Sequence, residues 1–161
     1  MGYPMAENIR RRMHANSTLF VYDISQAACQ RFTSELGHLG TIIVTKSPKE
    51  AAENAKVVIS IVPDASDVRK VYLDNQYGVI AAKADSQRLL LECSTIDSQS
   101  AVEVGQRIRS ANRGIYIDTP VSVRNDLAEI HLSMLRSRGR GSGCQSWHSF
   151  VPYWTHRSQR T

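Results

Sequence analysis

The sequence predicts an α/β fold in which a parallel sheet is covered by helices on both faces. Short apolar segments alternate along the chain with longer segments in which apolar residues recur every three or four positions. The short segments, of which Val57–Val62 is the longest, are apolar nearly throughout, as is typical of strands buried on both faces. With 161 residues, of which 42% are hydrophobic, the chain is large enough for one such domain with a substantial core.

The first part of the chain predicts helices and strands in alternation. Gly2 permits a tight turn, and Pro4 suits a first helical turn because proline lacks the N–H that would be unpaired there. The predicted elements are a helix through Met5, Ile9 and Met13, a strand at Leu19–Asp23, a helix through Ala28, Phe32 and Leu36 that ends before Gly37 and Gly40, and a strand at Thr41–Val44.

The second part contains the clearest helix start in the sequence. Ser47 and Glu50 form a capping box with Pro48 at the first helical position, so a helix is predicted to begin there. The remaining predicted elements are a strand at Val57–Val62 ended by Pro63, a helix at Asp64–Leu73 with Val68 and Val71 inward, a strand at Arg88–Glu92, a helix from about Asp97 with Ala101, Val104, Ile108 and Ala111 on one face, and a strand at Ile115–Asp118.

The net charge of +5 is concentrated at the C-terminal end of the chain. Residues 1–122 are nearly balanced in charge, whereas residues 123–161 hold six arginines, two acidic residues and both tryptophans. This change in composition predicts a domain boundary near Ser122. The basic tail after it is rich in Ser, Arg and Gly and has no sustained apolar period, so we expect it to be irregular and disordered.

The sequence gives no support for a membrane, secretory or metal-binding protein. Its longest apolar run is far shorter than the ~20 residues that span a bilayer, and no signal-peptide pattern is present. The cysteines, Cys29, Cys93 and Cys144, are odd in number and too widely spaced for a zinc site. We therefore expect a cytoplasmic or mitochondrial protein with no membrane partner and no metal, and the sequence does not indicate its oligomeric state.

The carboxyl ends of the predicted strands are where a doubly wound sheet binds its ligand. Asp23, at the end of the first predicted strand, follows Gly2 by 21 positions. An acidic side chain about 20 residues after a glycine-rich turn accepts hydrogen bonds from an adenosine ribose in dinucleotide-binding folds. A carboxylate there would favour NAD, because it would repel the 2′-phosphate of NADP. The alternative is that Asp23 only caps the following helix, and the spacing alone does not separate the two interpretations.

Several ordered motifs resemble those of the β-hydroxyacid dehydrogenases, the group that contains 3-hydroxyisobutyrate dehydrogenase and the cofactor domain of 6-phosphogluconate dehydrogenase. These motifs are MGYPMAENI, VYD, SPKEAA, VVISIVPD, ECSTID and DTPVS, and they cover residues 1–122. The family begins with a strand and a loop of the form GxGxMGxPMAxNL, of which the first motif resembles the second half. The resemblance implies a Rossmann-like doubly wound parallel sheet lacking its first strand, with an irregular C-terminal tail.

The resemblance also implies roles for individual residues in binding NAD or NADP. It places the last glycine of the pyrophosphate loop at Gly2, the ribose contact at Asp23, a pair lining the cofactor at Val62 and Pro63, a cofactor contact at Asp67 where some members have Asn, the contact to the nicotinamide end at Thr95, and the first residue of the substrate-binding loop at Ser122.

The resemblance stops after Ser122. Val123 and Arg124 stand where the family has two glycines, and no lysine follows Lys83, although the family carries a catalytic lysine in a second, helical domain. In the family, hydride passes from a small hydroxy acid to NAD(P). We assign no catalytic residue here and expect this chain alone to be inactive; a shifted reading frame or a retained intron is the favoured explanation for the junction.

The missing first strand has a structural consequence. In the strand order 3-2-1-4-5-6 that strand is central, so its absence predicts unpaired edges on the strands Leu19–Asp23 and Val57–Val62. Either these edges meet or they stay open. We therefore expect a poorly stable, aggregation-prone chain that binds NAD weakly.

Other functions have weaker support. The arginine-rich tail would suit a nucleic-acid-binding protein, but it has no folded motif, so we expect no nucleic-acid partner; a non-catalytic scaffold is the third alternative. Three local groupings are attributed to chance composition or ordinary packing: a triad of Ser94, Asp118 and His131, a metal site of Cys144, His148 and His156, and a redox-active Cys93.

Overall fold

The computed structural model describes residues 2–121 and, as backbone alone, residues 149–154. Helices and strands alternate in the predicted order up to residue 118, and each predicted element is confirmed within a few residues of its expected ends. The predicted elements are α1 (Gly2–Arg12), β1 (Thr18–Val21), α2 (Gln26–Leu36), β2 (Ile42–Val44), α3 (Pro48–Asn54), β3 (Val57–Ile61), α4 (Ala65–Leu73), β4 (Leu89–Glu92), α5 (Ser98–Ser110) and β5 (Ile115–Asp118). One further strand, β6 (Ser149–Trp154), was not predicted.

The strands form one parallel sheet in the order β2-β1-β6-β3-β4-β5. The chain therefore fills one half of the sheet first, crosses over through α3, and then fills the other half, as the predicted doubly wound fold requires. The last strand of the chain, β6, lies in the middle of the sheet between β1 and β3.

The position of β6 corrects the expectation about the tail. The sequence predicts two open or mutually paired edges at β1 and β3, and an irregular segment after Ser122. Instead, Thr18 and Leu19 of β1 pair with the first two residues of β6, and all five residues of β3 pair with its last five. A slot between two strands offers backbone donors and acceptors on both sides, so a strand can form there without a periodic pattern of its own.

The remainder of the tail, residues 122–148 and 155–161, lies outside the described residues. The predicted domain boundary near Ser122 therefore stays a prediction. Within the described residues, no helix is both long and apolar enough to cross a membrane.

The sheet is covered on both faces by separate apolar clusters. On one face α1 and α2 pack against β1 and β3, and on the other α3, α4 and α5 pack against β3 and β4. The inward positions predicted from helical spacing are buried, except that Ile9, Met13, Ala28 and Ala111 are partly exposed. The first cluster includes Met5, Ala6, Leu19, Val21, Phe32, Ile59 and Ile61, and the second includes Ala52, Val58, Val68, Tyr72, Leu90, Val104 and Ile108.

The helix start predicted at Ser47 is confirmed. The Glu50 backbone N–H donates to Ser47 Oγ at 3.2 Å, and Pro48 occupies the first helical position. The Glu50 carboxylate accepts from the Lys46 backbone N–H at 2.7 Å, one residue earlier than in an ideal capping box. The two bonds satisfy donors that no helical carbonyl could reach.

We expect the Ser47→Ala variant to lose about 1 kcal/mol of unfolding free energy, because the Glu50 N–H then has no acceptor in a nearly buried site. Urea denaturation monitored by circular dichroism measures this loss. The exposed Ser34, whose hydroxyl donates to the Arg31 carbonyl inside α2, provides the control. Ser34→Ala should change stability by less than about 0.5 kcal/mol, and equal effects of both variants would contradict the capping role.

Candidate functional site

The candidate site is the edge of the sheet at which the parallel strands end. Because all strands run the same way, the residues that follow them meet there. Asp23 follows β1, Val62 follows β3, Thr95 lies just beyond β4, and Thr119 follows β5. The edge therefore collects the residues that the sequence singles out in separate motifs.

Backbone hydrogen bonds connect the loops that leave the strands. The Cys93 N–H donates to the Ser60 carbonyl at 2.7 Å, and the Thr119 N–H donates to the Glu92 carbonyl at 2.7 Å. The Val62 N–H donates to the side chain of Ser94 at 2.7 Å, which joins the loop after β3 to the loop after β4. These loops are consequently held in a fixed mutual arrangement.

The start of α1 lies close to this edge. Met5 and Ala6, in the first turns of the helix, belong to the same buried cluster as Ile61 and Cys93, which lie at the carboxyl ends of β3 and β4. Gly2 is the first helical residue and is buried. A helix N-terminus presents unpaired backbone N–H groups and a partial positive charge, both of which suit an anion.

Asp23 lies where the sequence places it, directly beyond the end of β1, but its side chain is fully buried. Its Oδ1 accepts a hydrogen bond from the Ser25 backbone N–H at 2.6 Å, just ahead of α2. It also lies beside Cys29, whose thiol has a raised pKa because of burial and then of the Asp23 charge. The hydrogen bond from Ser25 is the contact expected if Asp23 caps α2. The position of Asp23 beyond the end of β1 is the one expected if Asp23 binds the adenosine ribose.

The other predicted cofactor residues differ in exposure. Pro63 and Thr95 are exposed at the edge, whereas Val62 is buried and belongs to the second apolar cluster. Asp67, in the first turn of α4, is partly exposed and pairs with Lys70 at 2.9 Å. The structure brings Val62 and Pro63 together with Thr95 through the Ser94 contact. Ser122 lies outside the described residues.

Sequence reasoning assigned no role to a buried polar cluster directly beneath this edge. Glu92, the last residue of β4, is fully buried and is hydrogen-bonded to Ser60 Oγ and to the Ser94 backbone N–H. Tyr72, also fully buried, reaches Ser60 from α4 at 2.6 Å. The available signals were a serine inside the apolar run Val57–Val62 and a glutamate ending an otherwise apolar strand.

The alternative chemistries have little support. Cys93 is buried, and burial raises the pKa of its thiol, so the thiolate needed for redox chemistry is disfavoured. The hydroxyl of Ser94 accepts the Val62 N–H, and the proposed triad partner His131 lies outside the described residues. No group of three or more potential metal ligands occurs among residues 2–121, and the grouping of Cys144, His148 and His156 lies outside the described residues.

Comparison with protein families gives one match over most of the chain. Residues 1–134 match the family model described as the NAD-binding domain of 6-phosphogluconate dehydrogenase.

Individual relatives point to the same group. Over 122 residues the chain is 30% identical to mouse mitochondrial 3-hydroxyisobutyrate dehydrogenase, a match that covers 76% of this chain and 33% of the mouse protein. Over 123 residues it is 35% identical to an NAD-dependent L-serine dehydrogenase of Pseudomonas aeruginosa, covering 76% of this chain and 37% of that protein. The chain thus spans about a third of the length of these relatives.

Solved structures share the fold. An oxidoreductase from Mycobacterium avium superposes with a TM-score of 0.57 at 25% identity, over 77% of this chain and 39% of that one. A 3-hydroxyisobutyrate dehydrogenase from Salmonella typhimurium superposes with a TM-score of 0.53 at 19% identity, over 67% of this chain and 43% of that one.

Proposed function

Because the chain belongs to the family of NAD-binding domains represented by that of 6-phosphogluconate dehydrogenase, we propose that its carboxyl edge binds NAD or NADP, with NAD preferred. The observation that carries the proposal is the meeting of the α1 N-terminus, Asp23, Val62 and Thr95 at one edge of a parallel sheet. Nothing in the comparisons supports the nucleic-acid alternative.

Each residue is proposed to contact a different part of the dinucleotide. The N–H groups at the start of α1, from Gly2 onward, receive the pyrophosphate, and Asp23 accepts hydrogen bonds from the adenosine ribose. Val62 and Pro63 line the cofactor, and Thr95 contacts its nicotinamide end. Asp67 is the weakest of the proposed contacts, because Lys70 already engages its carboxylate.

The activity of a complete protein is a further part of the proposal. The relatives are dehydrogenases about two to three times as long as the matched region, and the names of two include 3-hydroxyisobutyrate. We propose that this chain supplies the cofactor-binding part of an oxidoreductase that moves hydride between a small hydroxy acid and NAD(P). Ser122 would begin its substrate loop, and a cytoplasmic or mitochondrial location fits the mitochondrial relatives.

Titration of the purified chain tests cofactor binding. We expect NADH to bind, NADPH to bind more weakly, and an oligonucleotide of mixed sequence not to bind, as measured by isothermal titration calorimetry. Binding of the oligonucleotide without binding of NADH would overturn the proposed function and favour the basic tail as the functional part.

Substitution of Asp23 tests the basis of cofactor choice. Asp23→Ala should weaken NADH binding about tenfold, because hydrogen bonds to a charged group contribute about 1.5–3 kcal/mol, and should strengthen NADPH binding, because the charge that repels the 2′-phosphate is then absent. Asp23→Asn is the matched control, since its amide oxygen can still accept from the Ser25 N–H while the negative charge is absent. The Asp23→Asn variant should reduce the difference in binding affinity between NADH and NADPH. Equal affinities of the unmodified chain for the two cofactors would contradict the role of Asp23.

A further inference from the structure

Beneath the proposed cofactor site lies a set of buried polar side chains that the fold alone does not require. We call Ser60, Tyr72, Glu92 and Ser94 the Glu92 cluster. Three of these residues are 0% exposed and Ser94 is 2% exposed. Polar groups buried this completely are costly unless they are hydrogen-bonded, so their partners indicate what the cluster does.

The cluster is a continuous chain of hydrogen bonds that ends in the cofactor loops. Tyr72 OH bonds Ser60 Oγ at 2.6 Å, and Ser60 Oγ bonds Glu92 Oε2. Glu92 Oε1 accepts from the Ser94 backbone N–H at 2.7 Å. Ser94 Oγ then accepts from the Val62 backbone N–H at 2.7 Å. Through Ser94, one glutamate side chain therefore holds both the loop after β3 and the loop after β4.

The surroundings of Glu92 raise the pKa of its carboxyl group. Among the described residues no lysine or arginine pairs with it, and the titratable groups that face it there are Tyr72 of α4, Tyr116 and Asp118 of β5, and Cys93. Burial is the largest cause of the raised pKa and the Asp118 charge adds to it, whereas hydrogen bonds from Ser60 and Ser94 oppose it. Ser60 Oγ donates to one carboxyl oxygen, and the Ser94 backbone N–H donates to the other.

We propose that Glu92 is a positioning residue for the dinucleotide site, which fixes the Val62 and Thr95 loops through Ser94. This inference rests on the proposed function for the identity of the ligand, but the fixing of the loops stands on the contacts alone. Without the carboxyl group the Ser94 N–H loses its acceptor in a buried site, and the orientation of the Ser94 hydroxyl toward Val62 is no longer enforced.

Four variants separate positioning from general stability. Glu92→Gln has the shape and the hydrogen-bonding capacity of a protonated glutamate, whereas Glu92→Ala has neither. Ser94→Ala removes the acceptor for the Val62 N–H and the side-chain contact with Glu92 but keeps the Glu92 carboxyl group, so it provides a milder test if the Glu92→Ala variant does not fold. Ser17→Ala is the matched control, because Ser17 is also a buried serine but precedes β1, at the opposite edge of the sheet.

Two measurements are made on each variant of the full chain. Calorimetric titration with NADH should give an affinity within about twofold of the unmodified chain for Glu92→Gln and Ser17→Ala, and about tenfold weaker for Glu92→Ala and Ser94→Ala. Amide hydrogen exchange should be faster at Val62 in Glu92→Ala and Ser94→Ala, and faster at Ser94 in Glu92→Ala. The exchange rates at Val62 and Ser94 should be unchanged in Glu92→Gln and Ser17→Ala.

The pH dependence of stability tests the raised pKa of Glu92. A glutamate with a raised folded-state pKa binds more protons in the folded state, so it contributes most below its ordinary value near 4.5 and progressively less as pH rises through the raised pKa. The midpoint of thermal unfolding of the unmodified chain should therefore fall relative to that of Glu92→Gln as pH increases from 4.5. A constant difference between the two chains would contradict the raised pKa of Glu92.

The outcomes distinguish this inference from the proposed function. If the unmodified chain does not bind NADH, the proposed function fails, and the exchange rates at Val62 and Ser94 still decide whether Glu92 fixes the loops. If NADH binds equally to the unmodified chain, Glu92→Ala and Ser94→Ala, the positioning role is overturned while the proposed function stands. Loss of binding in Glu92→Gln equal to that in Glu92→Ala would also overturn it.

Discussion

Ending the chain at His148, so that β6 is absent, should abolish cooperative unfolding. β6 pairs with β1 on one side and with β3 on the other, so its loss removes two ladders from the centre of the sheet. The facing edges of β1 and β3 would then carry unpaired N–H and C=O groups between two apolar clusters. A domain of this size has only about 5–15 kcal/mol of net stability, which is less than the loss of a central strand is expected to cost.

Circular dichroism during thermal unfolding and size-exclusion chromatography test this expectation. The truncated chain should show a broad or absent transition and should elute as aggregates, because open edges pair with other copies. A chain that ends after Trp154 keeps β6 and provides the matched control; it should unfold as the full chain does. A peptide of residues 149–154 added to the truncated chain should restore part of the transition. If the truncated chain is monomeric and unfolds in a sharp transition without the added peptide, β6 is not a structural part of the sheet.

The second large effect is expected on substitution of Gly114, the residue directly before β5. Gly114 has a φ of +150°, which side chains rarely tolerate, and a Cβ there would lie 2.5 Å from the Arg88 carbonyl oxygen. The same oxygen accepts the Ile115 N–H at 2.7 Å, so the two backbones cannot separate without losing the first bond between β4 and β5. Backbone strain and overpacking each cost about 1–3 kcal/mol, and Gly114→Ala should lose about 3 kcal/mol of unfolding free energy.

Gly37→Ala is the matched control for this substitution. Gly37 ends α2 with a φ of −60°, and no atom lies within 4 Å of a Cβ built there. Alanine should therefore be neutral or stabilise the chain by about 0.5 kcal/mol, because it reduces the conformational freedom of the unfolded chain. Urea denaturation of both variants measures the difference, and similar free energies for the two would contradict the assigned geometry of Gly114.

Patterns among residues close in sequence were sufficient to predict most of the fold. The apolar run at Val57–Val62 and the inward positions of α4 and α5 were sufficient because burial periodicity depends on residues close in sequence. The start of α3 at Ser47 followed from a cap that three neighbouring residues complete. Parallel pairing followed from strands that are apolar on both faces, since such strands need a helical layer on each side.

The site was predictable in position but not in contacts. The spacing from Gly2 to Asp23 and the ends of the predicted strands located the carboxyl edge, because topology alone brings those ends together. The full burial of Asp23 could not be read from the sequence, since it depends on how α2 and its neighbours close over the side chain. The roles of the cofactor residues, including Thr95, stay predictions.

The sequence by itself determined the order of elements, their inward faces and the family, because each depends on local periodicity or on short motifs. Only the tertiary structure decided that β6 occupies the centre of the sheet and that Ser60, Tyr72 and Glu92 share one buried cluster. Both arrangements join residues that are far apart in the chain. Backbone pairing and buried hydrogen bonds depend on which donors and acceptors the fold brings within reach, and no pattern of neighbouring residues specifies that proximity.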